Sequence, residues 1–285
     1  MRKIVFAAIL YSVTLSVSAQ TLLKTHKDSL VKAAAKTEVF APSRPIVGPG
    51  KTNLDAPSDA VILFNGKNLN EWVLTKDPKK QADWKVADGI LTVNKPSGNI
   101  QTKRTFTNYQ LHIEWRIPAE FAKIPGNNPD FYKSRVPGDT DVLNTGQVRG
   151  NSGIFLASTG SGDAGYELQV LDNYKNSTYV NGQAGSIYKQ TPPLVNACKK
   201  PGEWQSYDVI WNAPKFNADG SLNTPAHVTV FQNGVLIQNN TEVKGETVWI
   251  GEPFYKAHGA CPIKLQSHGD KSQPINFKNI WIRNL

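Results

Sequence analysis

Three short segments carry acid, amide, basic or imidazole side chains at every second position. They are His112, Glu114 and Arg116 in Leu111 to Arg116, Glu167 and Gln169 in Tyr166 to Asp172, and Lys264, Gln266 and His268 in Ile263 to His268. The residues between them are Leu111, Ile113 and Trp115, then Leu168 and Val170, then Ile263 and Leu265. A period of two is that of a β-strand, so each segment offers one polar and one apolar face. Taken singly, each polar residue reads as the wet side of a half-exposed sheet. A wet side usually favours Lys, Thr and Ser, however, whereas here Glu114, Arg116, Asn151, Glu167, Gln169, Gln266 and His268 gather near aromatic residues. Glu and His move protons near neutral pH, Arg and amides hold charge that develops on oxygen, and aromatic rings with amides suit sugar hydroxyls.

The elements that must position these side chains are strands. From Ala60 onward, runs rich in β-branched and aromatic residues alternate with Gly, Asn, Pro and Asp. The runs are Val61 to Phe64, Ile90 to Val93, Gln110 to Ile117, Gly153 to Leu156, Tyr166 to Leu171, Ser206 to Trp211, His227 to Gln232, Ile263 to Gln266 and Phe277 to Ile282. Asn65-Gly66, Asp88-Gly89 and Asn233-Gly234 are tight-turn signals, because Asn, Asp and Gly tolerate positive φ. An all-β sandwich or jelly roll follows, with apolar faces inward and polar faces left as a solvent-open groove. The stretch from Pro118 to Arg149 is long and polar, with little strand character, and reads either as a rim over that groove or as a surface insertion. Trp72, Trp84, Trp115 and Trp204 are expected in the core.

Residues 1–19 have the basic, apolar, small-residue order of a secretory signal, with cleavage expected after Ala19. No cysteine stands at the cleavage region, so a lipid anchor is not expected, and the mature protein is expected in the periplasm or outside the cell. Residues 20–58 read as a linker or loosely packed arm, rich in Ala and Lys and then in Pro. Residues 59–285 read as one β domain. Of the net charge of +9, Arg2 and Lys3 supply two, leaving +7 without a long basic run, which favours solubility over nucleic-acid binding. Cys198 and Cys261 lack metal spacing, and an oxidising compartment would allow them to pair.

Several segments, taken in order, resemble the 3-keto-disaccharide hydrolase family. They are Leu63 to Leu69 with Trp72, Trp84 with Asp88-Gly89, Glu114-Trp115-Arg116, Gly150 to Leu156, Tyr166 to Asp172, Gly185 to Tyr188, Pro201 to Trp204, Leu265 to Gly269 and Phe277 to Arg283. The resemblance implies a concanavalin A-like two-sheet jelly roll and action on glycosides whose glucose has been oxidised at C3. A C3 ketone acidifies the C2 hydrogen, so a base removes it, the glycosidic oxygen leaves by β-elimination, and water adds to the enone. Alternation assigns Glu167 and His268 as base and acid in either order, and places Arg116 and Gln169 near the charge at O3. Glu114 would orient a partner or bind a metal. Asn151, Gln266, Tyr188 and Asp172 would line the substrate. A divalent metal held by His268 with Glu114 or Glu167 would serve the same charge, although no compact ligand motif marks it. Two other readings stay open: a glycosidase with Glu114 and Glu167 as paired carboxylates, and a non-catalytic sugar-binding module.

Overall fold

The computed structural model describes residues 20–123, 150–176, 178–269 and 272–285. The signal-like segment, and the part of the polar stretch from 124 to 149, lie outside them. The first strands are β1 (Val61–Phe64), β2 (Trp72–Leu74), β3 (Asp77–Gln81), β4 (Lys85–Ala87), β5 (Ile90–Thr92), β6 (Ile100–Thr102), β7 (Tyr109–Arg116), β8 (Asn151–Phe155) and β9 (Glu167–Leu171). The remainder are β10 (Gln205–Asn212), β11 (Lys215–Phe216), β12 (Leu222–Thr224), β13 (His227–Gln232), β14 (Val235–Glu242), β15 (Lys264–Leu265) and β16 (Asn276–Asn284).

Two antiparallel sheets make the sandwich. The eight-stranded sheet runs β14-β13-β10-β7-β16-β5-β4, with β1 also paired to β16, and the six-stranded sheet runs β3-β2-β6-β15-β8-β9. A two-residue loop joins β4 to β5 and another joins β13 to β14. Both need positive φ at each position, which Asp88 and Gly89, then Asn233 and Gly234, supply. The apolar faces meet as expected: Leu111, Ile113 and Trp115 of β7 share one buried cluster with Leu168 and Val170 of β9 and Leu265 of β15. Two tyrosines cross that core and spend their hydroxyls on the far sheet. Tyr109 of β7 donates to Leu156 O at 2.6 Å, and Tyr207 of β10 donates to Gln169 O at 2.9 Å. The second bond fixes the backbone of β9 where its polar side chains project.

Trp72, Trp84 and Trp115 lie in the core. Trp204 does not. It is half-buried, with the Arg116 guanidinium 4.6 Å and the Lys278 ammonium 4.5 Å from its ring, because the turn before β10 delivers it to an outer face where cations surround it. The cysteines do not pair. Cys198 lies beside Gln232 and Cys261 beside His258, each as a free thiol.

Residues 20–46 and 47–285 belong to two separate units. Within the first unit, residues 20–35 of the expected linker or arm form an exposed helix, since Leu, Lys and the Ala33-Ala34-Ala35 run all favour helix locally. Residues 47–58 belong with the β body: Leu54 O accepts bonds from Asn279 Nδ2 and Trp281 Nε1.

Candidate active site

The site grows from the outer face of the six-stranded sheet. Register sets Glu167 of β9 opposite Phe155 of β8, and Gln169 opposite Gly153, while Lys264 of β15 lies on the other side of Phe155. The Gln266 N–H donates to Gly153 O at 2.9 Å, which continues the ladder past β15 and brings Gln266 beside Gly153. Along the free edge of β9, Leu168 bridges Ile187, so Tyr188 falls opposite Glu167 on the same face. Gly153 is the floor of this arrangement. A methyl group there would stand 2.3 Å from Glu167 Oε1, so the absence of a side chain is what admits the carboxyl.

These groups are less open than the sequence suggests. Glu167 is 4% exposed, Gln169 3% and Gln266 4%, where a solvent-open groove was expected. The loop over 160–164 folds back across the sheet, and the buried Lys264 ammonium donates to the carbonyls of Gly160, Gly162 and Ala164 at 2.7 to 3.1 Å. Among the described residues of this face, Tyr188 and His268 at its margins stay partly open. The Glu167 carboxylate makes no hydrogen bond among the described residues. Burial, with the charge of Asp163, pushes its pKa up to about 8 against the pull of Lys264. Burial likewise draws Lys264 down to about 8, although Asp163, Glu246 and Glu167 resist it.

Two amides complete the face. Gln169 Oε1 accepts from Val170 N–H at 3.0 Å, so its NH₂ is the end left for a ligand. Among the described residues, Gln266 Oε1 is buried without a hydrogen-bond partner, an orphaned acceptor of the kind a ligand hydroxyl satisfies. Asn151 begins β8 and His268 follows Gln266 at the two-residue spacing, both near this face. Asp172 ends the β9 segment, where its Oδ1 accepts from Tyr174 N–H and shapes the next turn. Among the described residues, no three His, Cys, Asp or Glu side chains converge on a metal position.

Glu114 and Arg116 are elsewhere, which corrects the single groove expected from alternation. Their strand, β7, is in the eight-stranded sheet, and its polar side is the opposite outer face of the sandwich. Sheets pack about 10 Å apart with these side chains pointing away from each other, so Glu114 and Glu167 cannot flank one bond, and Arg116 cannot share an oxyanion with Gln169. Period two separates inside from outside but does not say to which sheet a strand belongs. There, Glu114 joins Lys278 Nζ at 3.2 Å and Asn279 Nδ2 at 2.9 Å, while His112 Nδ1 meets Asp208 at 2.7 Å. His112 Nε2 stands 3.9 Å from Glu114, close enough for charge attraction but not for a hydrogen bond. Burial alone would raise the Glu114 pKa, but His112, Asn279 and Lys278 hold it down at about 2. A hollow of about 610 Å³ on this face is lined by Leu54, Ser206, Asp208, Ile210 and Phe231, far from Gly153.

A buried carboxylate held in its charged form by three neighbours contributes to stability. Because the folded-state pKa of Glu114 is depressed, its contribution is present above the unfolded value near 4.5 and is lost as pH falls toward 2. Glu114→Gln should lower stability by about 1 to 3 kcal/mol at pH 7 and leave turnover unchanged. Thermal denaturation from pH 7 to 3 should show the difference shrinking. A parallel collapse of turnover would return Glu114 to the active site.

Sequence reasoning passed over two contributors. Gly153 has a readable signal, a glycine inside a strand. Thr247, whose Oγ1 accepts from Glu167 N–H at 3.0 Å, has none, since it comes from a distant loop.

Known proteins place this face in context. A crystal structure of a candidate glycosyl hydrolase from Parabacteroides distasonis ATCC 8503 is 49% identical, covers 88% of this chain and 96% of its own, and superposes with a TM-score of 0.74. Two further candidate glycosyl hydrolases from that organism are 19% and 22% identical. They cover 80% and 79% of this chain, and 94% and 99% of their own, each with a TM-score of 0.51, and so share the fold. Among curated proteins none matches. The 3-keto-alpha-glucoside-1,2-lyase-like domain matches residues 59–283, nearly the whole β body and every strand of both sheets. On that match the chain belongs to the 3-keto-disaccharide hydrolase family, a carbohydrate-active β-sandwich.

Proposed function

We propose that the protein cleaves glycosides whose glucose unit carries a ketone at C3, by elimination across C1 and C2 and then hydration. The carrying observation is Glu167, a buried carboxyl with no hydrogen bond among the described residues, set over Gly153 between two amides and shifted up to about 8. A carboxylate with that affinity for protons is a stronger base than an exposed one and is matched to a C–H made acidic by the adjacent ketone. Glu167 takes the C2 proton, and the electron pair moves into the enolate. The Gln169 NH₂ stabilises charge at O3, and Gln266 Oε1 accepts a sugar hydroxyl. As the C1–O bond breaks, His268 protonates the leaving oxygen. Water then adds at C1 of the enone and gives its remaining proton to His268, while the proton held by Glu167 returns to C2, so both groups are restored and the sum is hydrolysis. The 1,2-lyase-like character of the matching family supports this order, since elimination is its first half.

The test is incubation of the purified protein with 3-keto-trehalose and, separately, with trehalose, following released glucose and enone absorbance. Only the keto sugar should be consumed, with enone appearing before hydration. A parallel chelator arm reads whether a divalent ion shares the O3 charge with Gln169. Cleavage of trehalose itself would point to ordinary glycoside hydrolysis and sink the elimination mechanism. Binding without turnover of either sugar would leave a sugar-binding module.

A further inference from the structure

Of the seven tryptophans, Trp249 alone is exposed, at 56%, and it stands next to the face just described. Its loop closes on itself where Glu246 bridges Phe254, and two bonds anchor it there: Thr247 N–H donates to Gly165 O at 2.8 Å, and Thr247 Oγ1 receives Glu167 N–H. The loop thus grips the start of β9 at the residue that carries the buried carboxyl. From the other side, Tyr188 lies opposite Glu167 and its hydroxyl meets that of Tyr179 at 2.7 Å. The next residue, Lys189, holds a φ of +58°, a costly conformation for a side chain of its size. Its ammonium donates to Trp249 O and lies 5.9 Å from the Trp249 ring. One cation therefore holds both the main chain and the ring of an indole whose apolar surface faces water.

We infer that Trp249 is the platform for the second ring of the substrate, the pyranose that departs as leaving group. An indole face pairs with the C–H face of a pyranose through dispersion and its negative quadrupole, and Tyr188, opposite Glu167 and next in the chain to Lys189, links the two. An open sugar platform must be held rigid beforehand to gain affinity, and the Lys189 contacts do so. The second ring makes the site selective for disaccharides, or glycosides of ring-bearing aglycones, over simple alkyl glycosides. This inference rests on the reading above for the position of the reacting ring.

The experiment compares wild type, Trp249→Ala and Trp249→Phe on methyl 3-keto-glucoside and on 3-keto-trehalose. Trp249→Ala should lower kcat/KM for the disaccharide about tenfold, mainly through KM, and change the methyl glycoside less than twofold, while Trp249→Phe restores most of the loss. Equal losses on both substrates, or no loss on either, overturn the platform. If wild type turns over no keto sugar, the elimination reading has failed by itself. Calorimetry with unoxidised trehalose and methyl glucoside then decides the platform: a binding preference for the disaccharide that vanishes in Trp249→Ala upholds it, and no such change overturns it.

Discussion

Glu167→Gln should lower kcat on 3-keto-trehalose by about 10³-fold while KM changes little, the loss expected when a positioned proton-transfer group is replaced by an isostere. The same substitution should stabilise the fold in alkaline solution. The folded-state pKa of Glu167 is raised, from about 4.5 to about 8, so between those values the folded protein binds more protons than the unfolded chain. Stability from this group accordingly falls as pH rises through that window, by on the order of a few kcal/mol in all. Gln removes the titration, so the variant should be more stable than wild type at pH 8 to 9 and closer to it near pH 5. Taking the difference between the two proteins cancels His112, raised to about 8, and Glu114, held at about 2, which are common to both. For wild type, kcat/KM should rise with pH toward about 8 as Glu167 ionises. A rate that falls through that range and loses the fall in Glu167→Gln would make Glu167 the acid. An active Glu167→Gln enzyme would remove it from the chemistry.

What the sequence discloses about this site is local, and what it conceals is the pairing of distant strands. Asp88-Gly89 and Asn233-Gly234 dictate hairpins because two residues with positive φ admit no other connection, and alternation in Leu111 to Arg116 and Tyr166 to Leu171 correctly divides core from surface. The sheet to which each segment belongs depends on partners far along the chain: β7 lies between β10 and β16, whereas β9 pairs with β8. No period records that, so Glu114 and Arg116 look like companions of Glu167 until Asp208, Lys278 and Asn279 are seen around them. Burial is concealed for a similar reason. The carbonyls that enclose Lys264 come from a loop about a hundred residues earlier. An exposed aromatic in an aperiodic loop, such as Trp249, has no pattern at all to betray its place beside β9. Segments matching a known family carry what periodicity lacks, because an ordered set of them imports the sheet order together with the side chains.

Gly153→Ala should disable the site from below while sparing the fold. Gly153 lies inside β8 with none of the left-handed backbone that would exclude a side chain, so the strand itself accepts alanine. Its new methyl would meet Glu167 Oε1 at 2.3 Å and the Glu167 Cγ and Cδ atoms at 2.9 Å, distances at which something must move. The strand is paired on both sides, to β9 and to β15, whereas the Glu167 side chain is hinged at two rotatable bonds, so the carboxyl moves. Displacing a base by even 1 Å costs about 10²-fold in rate, and that is the loss expected in kcat, with thermal stability changed by about 1 kcal/mol or less because alanine is no worse than glycine in a strand. A double-mutant cycle makes the assignment specific. If the methyl acts only by moving the Glu167 carboxyl, adding Gly153→Ala to Glu167→Gln should cost nothing further in rate. Additive losses would mean that Gly153 serves the substrate or the sheet directly, and a fully active Gly153→Ala enzyme would mean that the carboxyl does its work from some other position than the one above Gly153.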